Sequence, residues 1–229
     1  MNIAKFELLL LLSFAISACA GVSALNNSTS NWKEEVLLHD GTTVIVSRSA
    51  TRGGQHEPFQ RPSFYSQDLS FVIPATKEKV TWQDNFSAEL GSANFLPMML
   101  EIDQEIAYLV VNPLGCLSYN KWGRPNPSYI IFKYESKAWN RISLQELPEA
   151  FKTPNLIFSS PDDEAKKSGQ QIVSAEMIKA LYARYSQPQY KTILREPLEN
   201  AYCEELVRYK CGWGAPGEFN RKYFERVCK

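Results

Sequence analysis

The sequence predicts an α+β fold, in which an antiparallel β-meander, arranged as a sandwich or a propeller-like sheet, precedes a mostly helical C-terminal part. Short apolar and β-branched runs recur over residues 32–150, with turn signals every 8–12 residues, roughly the spacing of short paired strands. From residue 151 the apolar residues follow a helical period instead. The chain has 229 residues, of which 44% are hydrophobic, and this is enough for one sizeable core.

The first 31 residues are predicted to lie outside this fold. Lys5 and the short apolar run over residues 8–16 are typical of a signal peptide, because a membrane-spanning helix needs roughly 20 apolar residues. Residues 16–19 are similar to a bacterial lipobox, in which the cysteine is acylated and becomes the mature N-terminus. We therefore expect a signal peptide over residues 1–18, lipidation at Cys19 and a flexible tether over residues 19–31. The alternative is ordinary cleavage after Ala20.

These features predict a palmitoylated lipoprotein of a bacterial envelope, anchored in the outer membrane and facing the periplasm or the cell surface. Ala20 favours sorting to the outer membrane. The first expected partner is therefore the membrane, through the N-terminal lipid. The chain carries 25 basic and 25 acidic residues. This balance argues against a nucleic-acid partner, because such proteins usually carry a basic excess.

Three hairpins are predicted in the first half of the β domain, which we place over residues 32–150. The predicted strands are 35–38 with 42–47, 69–73 with 79–83, and 95–102 with 106–111. Asp40-Gly41 is a strong hairpin signal, because glycine accepts the positive φ of a tight turn. His39 is therefore expected beside a turn. Residues 50–67 have no period and are predicted to form a long loop.

Glu101, Asp103 and Glu105 are the densest carboxylate cluster of the chain at two-residue spacing. Several oxygen ligands together can bind a hard cation. The cluster lacks the spacing of a specific calcium loop, so we interpret it as a solvated turn and predict no metal site.

The least generic stretch is residues 114–139, where a strand at 116–120, a turn at 121–127 and strands at 128–134 and 138–142 are predicted. Its aromatic and polar side chains could form a binding surface for a sugar, a peptide or a protein, because aromatic rings give a large contact area at low entropic cost. The candidate binding residues are Tyr119, Asn120, Lys121, Trp122, Arg124, Asn126 and Tyr129. The alternative is that the aromatic rings plug the edge of the sheet and that Asn126-Pro127 shapes the turn.

The C-terminal part, residues 151–229, is predicted to be mostly helical and to pack on the β domain. The predicted elements are helices at 161–168, 174–185, 197–210 and 218–227, and a short strand at 191–195. Ser160, the following proline and acids, and Gly169 are typical start and stop signals of the first of these helices.

Four cysteines remain once Cys19 is set aside, which in an exported chain predicts two disulfides. An antiparallel hairpin of the last two helices would place Cys203 opposite Cys228, leaving Cys116 to pair with Cys211. A zinc site is the competing interpretation, and it is weak because no Cys-x-x-Cys pair occurs.

Several strings resemble a group of uncharacterised proteobacterial proteins, over most of residues 32–160. They are Cys116, the Tyr-Asn-Lys-Trp-Gly-Arg-Pro-Asn-Pro run at 119–127, Tyr129, the Phe-Lys-Tyr run at 132–134, Trp139, Arg141-Ile142 and Leu147-Pro148, with residues 38–41 and 153–156. That group has no assigned activity, so the resemblance transfers no catalytic residue.

The sequence contains no nucleophile elbow, phosphate loop, dinucleotide fingerprint or zinc-protease helix, and no cofactor is predicted. We therefore expect a binding or envelope-structural role rather than catalysis, with an envelope protein or a glycan as partner. The alternative is an envelope hydrolase that acts on glycan or peptide through carboxylates near the Trp122 turn, since the fold sets the spacing of such pairs.

Overall fold

The computed structural model describes residues 27–54 and 59–228, and within these ranges it confirms the α+β class. The predicted signal peptide and Cys19 lie outside the described residues. The strands are β1 (Ser28–Leu37), β2 (Thr43–Arg52), β3 (Phe64–Val72), β4 (Lys79–Asp84), β5 (Phe95–Asp103), β6 (Ile106–Pro113), β7 (Ile130–Glu135), β8 (Ala138–Ile142), β9 (Val207–Arg208) and β10 (Trp213–Gly214). The helices are α1 (Gly115–Lys121), α2 (Pro161–Ser168), α3 (Ala175–Tyr182), α4 (Pro188–Lys191) and α5 (Glu218–Val227).

Two antiparallel meanders form the β part. The first sheet has the order β1–β2–β3–β4 and the second has the order β5–β6–β7–β8, so each strand pairs with its neighbour in sequence. All three predicted hairpins are present. The first turns at Asp40-Gly41, where Gly41 has a φ of +85°, a conformation that glycine adopts without steric cost.

The two sheets pack face to face around one apolar core. Alternate residues of β1 to β4 point inward, including Val36, Val46 and Leu69, and they meet Leu100 and Leu109 of the second sheet. Along β2 and β4 buried residues alternate with exposed ones, and along β3 with partly buried ones, which explains the alternating sequence of this sheet.

The second sheet is covered on both faces. Its other side carries Met98, Met99 and Val110, which pack against Phe151, Ile178 and other residues of the C-terminal part. β5 and β6 are therefore buried almost throughout. This double burial explains why their sequences are nearly continuous apolar runs rather than alternating ones. The molecule thus has three layers: first sheet, second sheet and C-terminal part.

The outer edge of β1 is covered by the C-terminal part. Val173 forms a parallel bridge with β1, accepting from the Glu35 N–H at 2.8 Å and donating to the Lys33 carbonyl at 2.9 Å. Ser174 then caps α3 by accepting from the Met177 N–H. An unpaired edge strand is a template for association with other chains, and this bridge occupies the middle of the edge.

A buried ion pair connects the first sheet to the C-terminal part. Glu34 and Arg48 are both almost fully buried, and their side chains meet at 2.9 Å. Arg48 also donates to the Ile157 carbonyl at 2.7 Å, and Glu34 accepts from the Ile157 N–H at 2.9 Å. Trp32 donates its indole N–H to Glu34 at 2.6 Å. Each partner thus has further hydrogen bonds, as burial of a charge requires.

A second ion pair lies at the start of α2. Arg52 holds the Asp162 carboxylate with two hydrogen bonds of 2.7 and 2.9 Å. Arg61 adds a third contact to the same carboxylate at 2.7 Å and pairs with Asp163. Burial raises the pKa of Asp162, but the hydrogen bond from Arg52 and the charges of both arginines lower it by more, so the net pKa lies below the usual 3.8.

Five local predictions are wrong. Residues 28–31, predicted as the end of the tether, belong to β1, because they pair with residues 49–52 of β2. Residues 116–120 belong to α1 rather than to a strand, and Ser118, Tyr119 and Asn120 are all buried because the helix packs between β6 and the C-terminal part. Residues 197–210 are not helical: side chains of α1 and of the following turn bond to the backbone of residues 198–206, and residues 207–208 form β9. Residues 191–195 form no strand, since Ile193 donates to the Lys152 carbonyl instead. The loop predicted at 50–67 is shorter, because β2 and β3 pair as far as Arg52 and Phe64.

We predict that Glu34→Gln lowers the free energy of unfolding by about 3–5 kcal/mol, because it leaves the buried Arg48 without a counter-charge. Urea unfolding at pH 7 measures this. Glu35→Gln is the matched control: Glu35 is only half-buried and its contact to the Ala175 N–H needs only a neutral oxygen. Equal losses in the two variants would contradict the role of the pair.

We also predict an acid-sensitive component of stability from Asp162. A folded-state pKa below the usual value means that the carboxylate contributes stability above pH 3.8, and that this contribution disappears as the pH falls through the folded-state pKa. The difference in unfolding free energy between the wild type and Asp162→Asn should therefore shrink between pH 5 and pH 2, roughly the window of such a group. A difference that does not change with pH would refute this.

Candidate binding site

The candidate residues lie in α1 and in the turn that joins it to β7, and most of them contact other parts of the chain. Tyr119 is only 1% exposed, with the Arg124 guanidinium 5.3 Å above its ring and Tyr202 at its edge. Tyr129 is 5% exposed and donates its hydroxyl to the Gln189 carbonyl at 2.7 Å. The expectation of exposed faces is therefore corrected for these two rings, which are part of the interior.

Asn120 bonds to both α1 and the C-terminal part. Its amide group donates to the Cys116 carbonyl at 2.9 Å and to the Glu204 carbonyl at 3.0 Å. Its oxygen accepts from Arg124 at 2.9 Å and from the Leu206 N–H at 2.8 Å. All its hydrogen-bonding capacity is used within the protein, and two of the four bonds position the backbone of residues 204–206.

Lys121 and Trp122 face the loop between β4 and β5. Lys121 lies 3.4 Å from the Glu89 carboxylate and donates to the Ser87 hydroxyl at 2.8 Å. Trp122 is half-buried, its ring 4.7 Å from that of Phe95, and its indole N–H donates to Asn94 at 3.2 Å. The alternative interpretation of Trp122, as a plug at the sheet edge, describes these contacts.

Asn126 is the exposed member of the set, and its side chain pairs with the backbone of Leu198 as one strand pairs with another. It donates to the Leu198 carbonyl at 2.7 Å and accepts from the Leu198 N–H at 2.8 Å. The peptide bond that follows it, to Pro127, is cis. The turn thus holds residues 189–206 against the second sheet from outside.

The structure contains two disulfides, as predicted, but the predicted pairing is wrong. Cys116 pairs with Cys203 and Cys211 pairs with Cys228. The reason is that the expected helix at 197–210 does not form. Residues 198–206 run along α1 instead, which brings Cys203 to Cys116, and the β9–β10 hairpin lets α5 return Cys228 to Cys211.

Two clefts lie on either side of the Asn126 turn. The first, the Tyr202 cleft, has a volume of about 500 Å³ and is lined by Pro125, Asn126, Ser128, Gln189, Leu198, Glu199, Asn200, Ala201 and Tyr202. The second, the Arg195 cleft, has a volume of about 590 Å³ and reaches from residues 125–127 to residues 141–149 and 195–197. Only Asn126 among the seven candidate residues lines both.

The Arg195 guanidinium is part of the wall of its cleft. It donates to the carbonyls of Leu144 and Leu147, both at 2.9 Å, and to that of Pro148 at 2.7 Å. A longer contact of 3.3 Å reaches the Phe151 carbonyl. The cation thus organises the segment that follows β8, and most of its donors face protein oxygens rather than the cleft.

Besides Glu34 and Asp162 of the two ion pairs, two further buried carboxylates lie outside both clefts. Burial raises the pKa of Asp84, whose oxygens accept the backbone N–H groups of Asn94 and Phe95 at 2.8 Å and so close the loop before β5. Burial likewise raises the pKa of Glu101, which accepts from the backbone and the ring of His39 at 3.1 and 2.9 Å. Burial also raises the pKa of Tyr129 to about 12.

Glu101 therefore does not belong to a solvated turn with Asp103, which is exposed. It lies in the doubly covered β5, where His39 from the first hairpin turn reaches it and Asn155 approaches its other oxygen at 3.4 Å. Sequence reasoning also missed the cleft residues at 189–202, because a helix was predicted over part of them and no motif marks them.

Within the described ranges, no group of three or more His, Cys, Asp or Glu side chains is placed to hold a metal ion. No helix in the described part of the chain is long and apolar enough to span a bilayer. Comparison of the sequence and the structure with protein-family models, curated proteins and solved structures finds no match.

We predict that the two disulfides contribute unequally to the free energy of unfolding. Removal of a cross-link destabilises more when it closes a longer loop: about 4–5 kcal/mol for the 87-residue separation of Cys116 and Cys203, and about 3 kcal/mol for the 17-residue separation of Cys211 and Cys228. Urea unfolding of Cys116→Ser/Cys203→Ser and of Cys211→Ser/Cys228→Ser, without reductant, compares them. A larger loss in the second variant would contradict the prediction.

Proposed function

We propose that this protein is an exported, lipid-anchored binding module of a bacterial envelope, and that its ligand is a glycan held in the Tyr202 cleft. The observation that carries the proposal is the composition of that cleft. Side-chain amides, a hydroxyl and an aromatic ring line it, and Glu199 is its one charged lining residue. Its volume of about 500 Å³ lies within the usual range of ligand sites.

The chemistry of the lining suits a neutral, hydroxyl-rich ligand. Asn200 is exposed and Gln189 is half-buried, and each amide offers both a donor and an acceptor to neighbouring hydroxyl groups. Tyr202 is 38% exposed, so part of its ring is available to the apolar face of a sugar. The Glu199 carboxylate adds an acceptor for the ligand's hydroxyl groups.

The walls of the cleft are held before any ligand arrives. Asn126 fixes Leu198 with two hydrogen bonds, and the Cys116–Cys203 disulfide fixes the chain directly after Tyr202. Tyr202 rests on the buried Tyr119 with ring centroids 5.3 Å apart. Such pre-organisation reduces the entropic cost of binding. The motif at 119–127 would then serve binding indirectly, by holding the segment that carries the cleft residues.

Export is supported by the two disulfides, because such bonds persist in oxidising compartments. The anchor rests on the sequence around Cys19 alone. An acylated Cys19, joined to the module by the residues that precede β1 at Ser28, would hold it at the membrane, close to envelope glycans.

We predict that Asn200→Ala and Tyr202→Ala each weaken the binding of peptidoglycan glycan strands at least tenfold, because each removes a group that faces the cleft. Glycan strands freed of stem peptides are the probe, and isothermal titration calorimetry gives the dissociation constants. Non-reducing peptide mapping confirms that Cys116 and Cys203 stay paired in each variant.

The matched controls are Asn140→Ala, an exposed asparagine on β8, and Tyr223→Ala, an exposed tyrosine on α5. Both should bind as the wild type does. Binding of the stem peptides alone, or wild-type affinity in both cleft variants, would contradict a glycan site here. Release of soluble sugars by the wild type during the titration would point to the hydrolase instead.

We predict that metabolic labelling with palmitate marks the wild-type chain and not Cys19→Ser. The reason is that the cysteine is the acceptor of the acyl chains in a lipoprotein. Equal labelling of the two chains, or no labelling of either, would remove the anchor from the proposal and leave the glycan site untouched.

A further inference from the structure

We infer that the exposed face of α5 docks on an anionic lipid surface. Phe219, Tyr223 and Val227 are 81, 45 and 49% exposed. Residues four apart lie on the same side of a helix, so the three side chains form one apolar stripe, the α5 stripe. No other element among the described residues covers it.

The opposite face of α5 fixes this orientation. Phe224 stacks on Tyr209 with ring centroids 4.8 Å apart. Its ring lies so close to Gly212 and Gly214 that a Cβ at either position would come within 2.5 or 3.0 Å of it. The helix also ends at Cys228, which is bonded to Cys211. These contacts hold α5 on the β9–β10 hairpin with the stripe facing outward.

The charge around the stripe indicates what covers it. Residues 206–228 carry five basic and two acidic residues, whereas the whole chain is balanced at 25 of each. Lys222 and Arg226 each follow a stripe residue by three positions and so flank it on the helix surface. Lys222 also pairs with Glu218 at 2.7 Å, but both side chains are exposed, so this ion pair is weak and leaves Lys222 able to bind other anions.

An apolar stripe with aromatic residues and a basic flank is the surface that lies in the interface of an anionic bilayer. The rings and Val227 would enter the boundary between headgroups and acyl chains. Lys222 and Arg226 have long apolar stems that would let their charges reach the phosphates. A second copy of the chain could cover the stripe, but it would not account for the local excess of basic residues.

The test is hydroxyl-radical footprinting of the full chain carrying Cys19→Ser, which removes acylation at that position, with oxidation read by peptide mass spectrometry. Vesicles of phosphatidylglycerol in phosphatidylcholine should slow the oxidation of Phe219 and Tyr223 at least threefold, and vesicles of phosphatidylcholine alone should not. Leu37 and Val72, exposed on the first sheet, are internal references whose rates should not change.

The basic flank is tested by Lys222→Gln/Arg226→Gln, which should abolish the protection of Phe219 and Tyr223. Lys166→Gln/Lys167→Gln on α2 is the matched control and should retain it, and mapping of the Cys211–Cys228 bond verifies that α5 is intact in both. Unchanged oxidation with anionic vesicles, or equal protection by neutral ones, would overturn the inference. Protection that grows with protein concentration without vesicles would also overturn it and would indicate self-association.

Discussion

The arrangement of the three layers depends on the buried contact between Glu34, Arg48 and the backbone of Ile157. The apolar cores would tolerate some sliding of one layer over another, because apolar contacts have no direction. The ion pair does not, since each charge is buried and must keep its partners. The Glu34–Arg48 pair therefore fixes the position of the segment around Ile157, which follows the second sheet, against the first sheet. The Arg52–Asp162 pair imposes the same kind of constraint at the start of α2.

The unusual string at 119–127 is explained by the segment that it holds. Residues 189–206 have little regular structure of their own, so their backbone groups need partners from elsewhere. Asn120 and Asn126 supply several of them, and Tyr129 accepts from the Leu194 N–H at 3.3 Å. Polar side chains at 119–129 thus satisfy backbone groups that neighbouring strands would satisfy in a sheet. The cleft lies where this irregular segment meets the turn, as ligand sites often lie on irregular segments held by a rigid scaffold.

Local signals in the sequence predicted the hairpins, because Asp40-Gly41 and the alternating strands act over a few residues. Ser160, Pro161 and Gly169 likewise marked α2, although Ser160 caps no N–H with its side chain. The failures arose where distant partners decide. Residues 189–206 help to bury Tyr119 and Tyr129, and residues 197–210 bond to distant side chains of α1 and the following turn instead of forming a helix. The cysteine pairing followed from that missing helix, and the buried Glu101 takes hydrogen bonds from His39, 62 residues away.

The bridge between Val173 and β1 has a consequence for how the chain behaves while it is being synthesised. The first sheet can pair internally once β4 is complete, yet the edge of β1 gains its cover only after about 90 further residues have followed. Until then the outer edge of β1 exposes unpaired backbone donors and acceptors. Neighbouring nascent chains could therefore pair along this edge until residue 173 has been synthesised. The charged side chains of Lys33 and Glu35 on β1 disfavour such pairing.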